Sequence, residues 1–299
     1  DSDLEEDSDL DEDSDLDEDS DLEEDSEDMS MSIEDLEAAV ARGDDLTEFN
    51  FCGAEIYDAD LSGALLKGAD FSGADLHNVD LSNASLNDAV FAGATLDNIT
   101  LNGADLSSAI FAGARLNDLD ALRANFEEAD FGGASIYDVD LSGANLREAN
   151  FSGASIAETT LNGAVLHGAD LSGAAIFDVE LRGCDLSEVD ASAANFHNVD
   201  LSESNLSESD FSAASIHDAT LDGVKAQDWW LVAASLRQVS LKNASLQSAV
   251  FDALTVEDVD IEGSEVPEGF AEWLREAAAD AADGAPSAGE DDDEDEGAS

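Results

Sequence analysis

Basic residues are scarce: ten Lys and Arg stand against 74 Asp and Glu in 299 residues. Binding nucleic acid or anionic lipid requires Lys and Arg to displace counterions, so neither is expected as a direct partner. Cysteine occurs twice, too few for a disulfide framework. No apolar run approaches the roughly 18 residues of a spanning helix, and no secretory pattern opens the chain. These absences lead to the expectation of a soluble cytoplasmic protein. The chain starts at Asp1 rather than Met, and Met29 and Met31 are candidate starts.

Acid is what the sequence has in excess. Residues 1–28 hold 19 acids and 280–299 hold nine, leaving 46 acids against all ten bases between them. The middle is therefore strongly acidic in its own right, which fits a protein working in concentrated salt, where self-repulsion is screened. The first 28 residues repeat every six (DSDLEE, DSDLDE, DSDLDE, DSDLEE) and cannot bury enough apolar surface to order themselves. Residues 1–31 and 285–299 are read as disordered acidic tails.

Inside the tails the dominant signal is a five-residue beat. From Leu46 to Ile261 a large apolar residue returns every five residues without an insertion, and 41 of 44 such positions are Leu, Ile, Phe or Val. The exceptions are Ala121, Ala191 and Ala226, and each has an enlarged residue two places earlier: Leu119, Val189 and Val224. Residues i−2 and i thus face inward together and trade volume, as close packing demands. The residue between them faces out, as in a strand, and the polar pair i+1 and i+2 must turn the chain. Each unit is a short strand plus a corner.

A second period sets how many corners close one coil. Eight of the 13 Phe occupy positions 51, 71, 91, 111, 131, 151, 211 and 251, all in one column spaced by 20. Twenty residues make four sides, hence a square coil, and eleven coils about 4.8 Å apart give a rod of roughly 53 Å.

Units such as Ala69-Asp70-Phe71-Ser72-Gly73, Ala74-Asp75-Leu76-His77-Asn78 and Ala144-Asn145-Leu146-Arg147-Glu148 resemble the A-(D/N)-L-x-x motif of the pentapeptide-repeat family. That resemblance spans about 216 residues and implies a right-handed quadrilateral β-helix, in keeping with the right-handed crossover rule. The expected fold is an all-β solenoid over residues 46–265, with a capping helix at 32–45 and another at 266–284. The first helix has Ser32 as its cap and Gly43 as its stop. Phe270, Trp273, Leu274 and Ala277 give the second an apolar face, which covers the open end of the stack or also serves a homodimer. One departure is Gln227-Asp228-Trp229-Trp230, where Trp229 takes an inward place usually held by Ala and a local bulge is expected.

A solid square rod offers no concave pocket for catalysis, so no enzyme and no cofactor are expected. His77, His197 and His217 share a column, the last two on adjacent coils with Asn198 and Asp218 following them. Two histidines and a carboxylate could hold a transition metal, but two ligands from one flat face rarely suffice, so these histidines are read as exposed polar residues and no metal site is expected. Cys52 faces out and Cys184 in, some six coils apart, which rules out a mutual disulfide.

What remains is surface. Column 58, 78 … 258 is entirely Asp, Asn, Glu or Gln, and together with column 60, 80 … 260 it carries 14 acids in 22 positions. Column 55, 75 … 255 is mostly Ser, Thr, Ala and Asn. Some members of the family that the chain resembles imitate DNA and bind topoisomerases. The acidic stripe would place one charge per roughly 3.8 Å, against about 1.7 Å for duplex DNA, which is too sparse by about twofold. The reading is a non-catalytic β-helical scaffold or protein-binding rod adapted to high salt, its protein partner unidentified. The alternative is a DNA-mimicking modulator of a gyrase-type topoisomerase. Candidate interaction residues are Asp118, Asp120, Asp138 and Asp140 on the stripe. Trp230, Val90, Ile110 and Val250 are candidates in one outward column.

Overall fold

The hydrogen-bond accounting of a single unit explains the architecture. In Ala69-Asp70-Phe71-Ser72-Gly73, the Asp70 N–H donates to the Phe49 carbonyl of the preceding coil (2.9 Å). The N–H groups of Phe71 and Gly73 donate to Val90 and Ala92 of the following coil (2.7 and 2.9 Å). The N–H of Ala74, the next residue, closes the corner on the Phe71 carbonyl at 3.0 Å. Only the Ser72 N–H is left over, and the Asp70 carboxylate accepts it at 2.9 Å. Every donor has a partner, as a buried backbone requires. The fifth residue of nearly every unit, Ser248 being an exception, sits in left-handed backbone, for example Gly73 at φ 63°, which glycine adopts without steric cost.

The computed structural model describes residues 32–275. Segments 1–31 and 276–299, with both expected tails and the distal part of the expected second helix, lie outside the described residues. Eleven parallel strands build one sheet in strict chain order. They are β1 (Glu55–Tyr57), β2 (Asp75–Asp80), β3 (Thr95–Thr100), β4 (Arg115–Asp120), β5 (Ser135–Asp140) and β6 (Ser155–Ala157). β7 (Ala175–Glu180), β8 (Asn195–Asp200), β9 (Ser215–Thr220), β10 (Ser235–Ser240) and β11 (Thr255–Asp260) complete it. Each partner lies 20 residues on, as in Leu76↔Leu96 and Ile136↔Ile156. Each six-residue strand turns one corner and so lines two sides; the other two sides pair through single bridges at the same spacing, such as Leu65↔Ser85 and Val90↔Ile110.

The interior is filled by columns of like residues. Phe51, Phe71, Phe91, Phe111, Phe131 and Phe151 stack in parallel with centroids 4.7–4.9 Å apart and planes within 7° of one another. Close centroid spacing of this kind adds about 0.5–1.5 kcal/mol per pair beyond area burial. Ala fills most i−2 places. Where Ser204 replaces it, the hydroxyl donates to the Leu181 carbonyl (2.6 Å) and accepts the Cys184 N–H (3.0 Å).

Both ends are covered. Helix α1 (Ile33–Arg42) is capped by Ser32, whose hydroxyl accepts the Asp35 N–H, and stops at Gly43 in left-handed backbone; Leu36 and Ala39 are buried. At the other end residues 270–275 are helical. Phe270 stacks on Phe251 at 4.0 Å and so continues the phenylalanine column past the last coil.

The expected bulge at residues 227–230 does not occur. Asp228 holds the same left-handed corner as its column mates (φ 53°), and Trp230 bridges Asp210 and Val250 in unbroken register. Trp229 is fully buried, edge-on to Phe211 at 5.4 Å. Room for it comes from small neighbours: Ser209 and Ala249 one coil either side, and Ala226 at the centre of the preceding side. Its indole Nε1 is buried without a hydrogen-bond partner, a cost of about 1–3 kcal/mol that the packing of the ring offsets.

The phase of the repeat is open to a direct test. Leu141→Asp places an unpaired charge in the core and should cost more than about 4 kcal/mol, whereas Ser142→Asp, one residue on at a corner, should cost under about 0.5 kcal/mol. Chemical denaturation of the two variants measures the difference, and similar midpoints would refute the inward assignment of Leu141.

Candidate interaction surface

The acids of the stripe have backbone reasons to be where they are. All eleven residues of column 58 to 258 are left-handed, with φ between 51° and 58°, and none is glycine. Asp and Asn tolerate this region better than most residues because the short polar side chain can bond locally. Asn78 donates to Asp58 at 2.7 Å and Asn198 to Asp178 at 2.5 Å, so interleaved amides relieve carboxylate repulsion along the column. In the next column Asp60, Asp80, Asp140, Asp200 and Asp260 each accept the N–H two residues on, at 2.8–3.0 Å. Such bonds favour the ionised form: the Ser62 hydroxyl and N–H hold the Asp60 carboxyl below its usual range, and the Glu262 N–H does so for Asp260. Column 55 carries only two acids in eleven because its side runs as paired strand beyond that point and leaves no N–H for a side chain to collect.

The predicted site residues fall into this scheme unevenly. Asp118 and Asp138 are left-handed corners (φ 54° each) on neighbouring coils. Asp140 accepts the Ser142 N–H at 2.9 Å. Asp120 faces Asp140 across the β4–β5 ladder, and the Leu122 N–H that it would otherwise accept is taken by Asn102 from the preceding coil. The four thus form one patch. The apolar set does not: Val90 pairs with Ile110 and Trp230 with Val250, but Asp130, Asn150, Asp170, Asp190 and Asp210 occupy the column between. Two patches result, about 29 Å apart at about 4.8 Å per coil. Trp230 is 50% exposed and is the largest apolar residue of either patch.

Sequence reasoning noticed only the histidines of column 57. The structure adds Tyr57, Tyr137 and Phe177 to that column, with Tyr57 edge-on to His77 (6.4 Å) and Phe177 edge-on to His197 (6.2 Å). The signal was available in the 20-residue spacing, which places 57, 77, 137, 177, 197 and 217 in one line. A shallow depression of about 450 Å³ lies here, between Phe177, His197, His217 and Arg237 on one side and Asn195, Ser215 and Ser235 on the other.

Eight-copy pentapeptide repeats are recognised over residues 35–73, 45–83, 84–118, 109–147, 124–157 and 144–183, and a pentapeptide repeat region over 174–251 and 194–269. The chain belongs to the pentapeptide-repeat family. No curated protein sequence matches it. Among solved structures it is 30% identical to HetL, a pentapeptide repeat protein involved in heterocyst differentiation regulation in the cyanobacterium Nostoc, covering 80% of this chain and 98% of that one (TM-score 0.46). A thylakoid-lumen pentapeptide repeat protein of Arabidopsis thaliana is 28% identical over 30% of this chain and 62% of its own (TM-score 0.29). QnrB1, a plasmid-mediated fluoroquinolone resistance protein, is 18% identical over 74% and 93% (TM-score 0.28). Among the described residues, no helix of this pentapeptide-repeat protein is long and apolar enough to cross a membrane.

Two measurements check this surface. If Asp140 serves the turn, Asp140→Ala should lose about 1 kcal/mol while Asp140→Asn, which keeps the acceptor oxygen, stays near wild type; equal losses would show that charge rather than the acceptor matters. Burial pushes the Cys184 thiol up to about 11, and it lies 3.0 Å from the Leu161 carbonyl. Cys52 is exposed. Alkylation of the native protein at pH 8 should therefore modify Cys52 alone, with Cys184 reacting only after denaturant is added; mass spectrometry of the peptides reads the outcome.

Proposed function

We propose that this pentapeptide-repeat protein is a non-catalytic rod that binds another protein and is adapted to high salt. The observation that carries the reading is Trp230, half exposed on a charged surface with Val250 one coil away. Aromatic side chains of this kind anchor interfaces when a partner desolvates them. The solid interior of stacked Phe, Leu and Ala among the described residues supports the non-catalytic part, because side chains fill the rod and the concavity beside His197 is a shallow surface depression. Salt adaptation rests on the carboxylates. Pairs on neighbouring coils, about 4.8 Å apart, repel by roughly 0.9 kcal/mol in bulk water before screening, and many such pairs rival a domain's net stability.

The alternative, a DNA-mimicking modulator of a gyrase-type topoisomerase, would use the stripe as its binding face. The turn and corner roles of those acids account for them without mimicry, which favours the protein-binding rod. Capture of partners from lysate at molar KCl distinguishes the two. Trp230→Ser should lower capture severalfold. The quadruple change of Asp118, Asp120, Asp138 and Asp140 to Asn keeps left-handed tolerance and turn acceptors and should leave capture intact. Topoisomerase inhibition that disappears with the quadruple variant, and is competed by duplex DNA, would establish the alternative instead. Salt adaptation predicts a Tm that climbs steeply between low and molar KCl, as the Debye length falls to about 3 Å. A Tm independent of KCl would refute it.

A further inference from the structure

Column 57 and the corner that follows it bring three metal-ligand side chains to one point, on the rim between two shallow depressions, one lined by His197 and His217 and the other by Asp218. His197 on β8 and His217 on β9 occupy paired positions, and their Nδ1 atoms meet at 3.1 Å. Asp218 turns the left-handed corner directly after His217 (φ 53°), which swings its carboxylate back over the imidazoles. Its Oδ2 lies 3.6 Å from His217 Nδ1 and 3.9 Å from His197 Nδ1. The expectation of merely solvated histidines rested on two ligands and a flat face; the structure turns the Asp218 carboxylate onto both Nδ1 atoms as a third ligand.

We propose that His197, His217 and Asp218 form a binding site for one zinc-class divalent transition-metal ion. The distances fit the ion. A point equidistant from the three donor atoms lies about 2.1 Å from each, matching zinc–nitrogen and zinc–carboxylate bonds of about 2.0–2.2 Å. Two imidazoles select a transition metal over calcium or magnesium, which prefer all-oxygen shells.

The surroundings are those of a ligand set held in place. His217 Nε2 lies 2.9 Å from Gln238 Oε1, an oxygen that can only accept, so the ring carries its proton on Nε2 and presents a lone pair at Nδ1. Outer hydrogen bonds of this kind fix the tautomer of metal-binding histidines. In the metal-free protein His197 Nδ1–H donates to that lone pair. Metal binding moves this proton to His197 Nε2 through solvent, so both Nδ1 atoms face the ion with no net change in protonation. Phe177 covers one flank of His197 edge-on. Arg237, paired with His217 on the next coil, is turned to Glu257 through contacts of 2.8 and 3.3 Å and so directs its charge away from the imidazoles. The fourth coordination position faces solvent and takes water.

The test uses the full chain, stripped with chelator and dialysed against Zn²⁺ in molar KCl with excess Ca²⁺, which saturates oxygen-only sites on the acidic surface. One zinc per chain should be retained. His217→Ala and Asp218→Asn should each weaken binding at least about tenfold, and Gln238→Ala, which touches no metal, by about 10- to 100-fold. Ala is already accommodated at left-handed corners in this chain, at Ala213 and Ala233, so the last variant keeps the fold. His77→Ala, in the same column beside Asp97 but without a second imidazole, should leave binding unchanged. Circular dichroism confirms that each variant is folded, and nitrogen NMR of the wild type should show His197 and His217 shifting at Nδ1. Failure to retain zinc in excess Ca²⁺, or retention unaffected by His217→Ala, would overturn the proposal.

Discussion

The N–H of the first corner residue governs this protein. Neither the ladder between coils nor the hydrogen bond across the corner can accept it, so a side chain must or, where the residue two places earlier is apolar as at Val90 and Ile110, solvent. An Asp or Asn two residues earlier does so at 2.8–2.9 Å on many coils. Once that donor is satisfied, the backbone of the unit needs no outside help, and units can be stacked without limit of their own making. The small i−2 residue and large central residue then fill a square cross-section whose width leaves no room for anything else.

This constraint also explains why the acidity reads ambiguously. An acid demanded by a turn, an acid tolerated at a left-handed corner and an acid added for solvation look alike in a sequence. In the structure they separate: Asp140 is a turn acceptor, Asp138 is a corner, and Asp120 has its turn position taken over by Asn102. Charge on this surface is therefore partly a by-product of backbone geometry, and only the remainder is available for selection by salt or by a partner.

The five- and twenty-residue periods made the coil, its four sides and its inward columns legible from sequence, because periodic burial leaves a periodic composition. Two kinds of feature were not legible. Volume exchange between non-adjacent residues hid the accommodation of Trp229, since Ser209, Ala226 and Ala249 are each ordinary on their own. Direction hid the histidine cluster: the period places His197 beside His217, but only the left-handed turn at residue 218 brings the carboxylate back over them. The outward apolar column was legible as a line, and along it the four residues stand in two separate patches.

The four-sided coil has a further consequence for how such a rod can change. Adding or removing 20 residues lengthens or shortens it by one layer and leaves every face in alignment. Adding five would rotate everything downstream by a quarter turn while keeping the core pattern intact. An insertion between Asp200 and Ser215 would thus preserve the fold and carry His217 to a different side from His197. Surface function in this architecture is exposed to a kind of sequence change to which folding itself is blind.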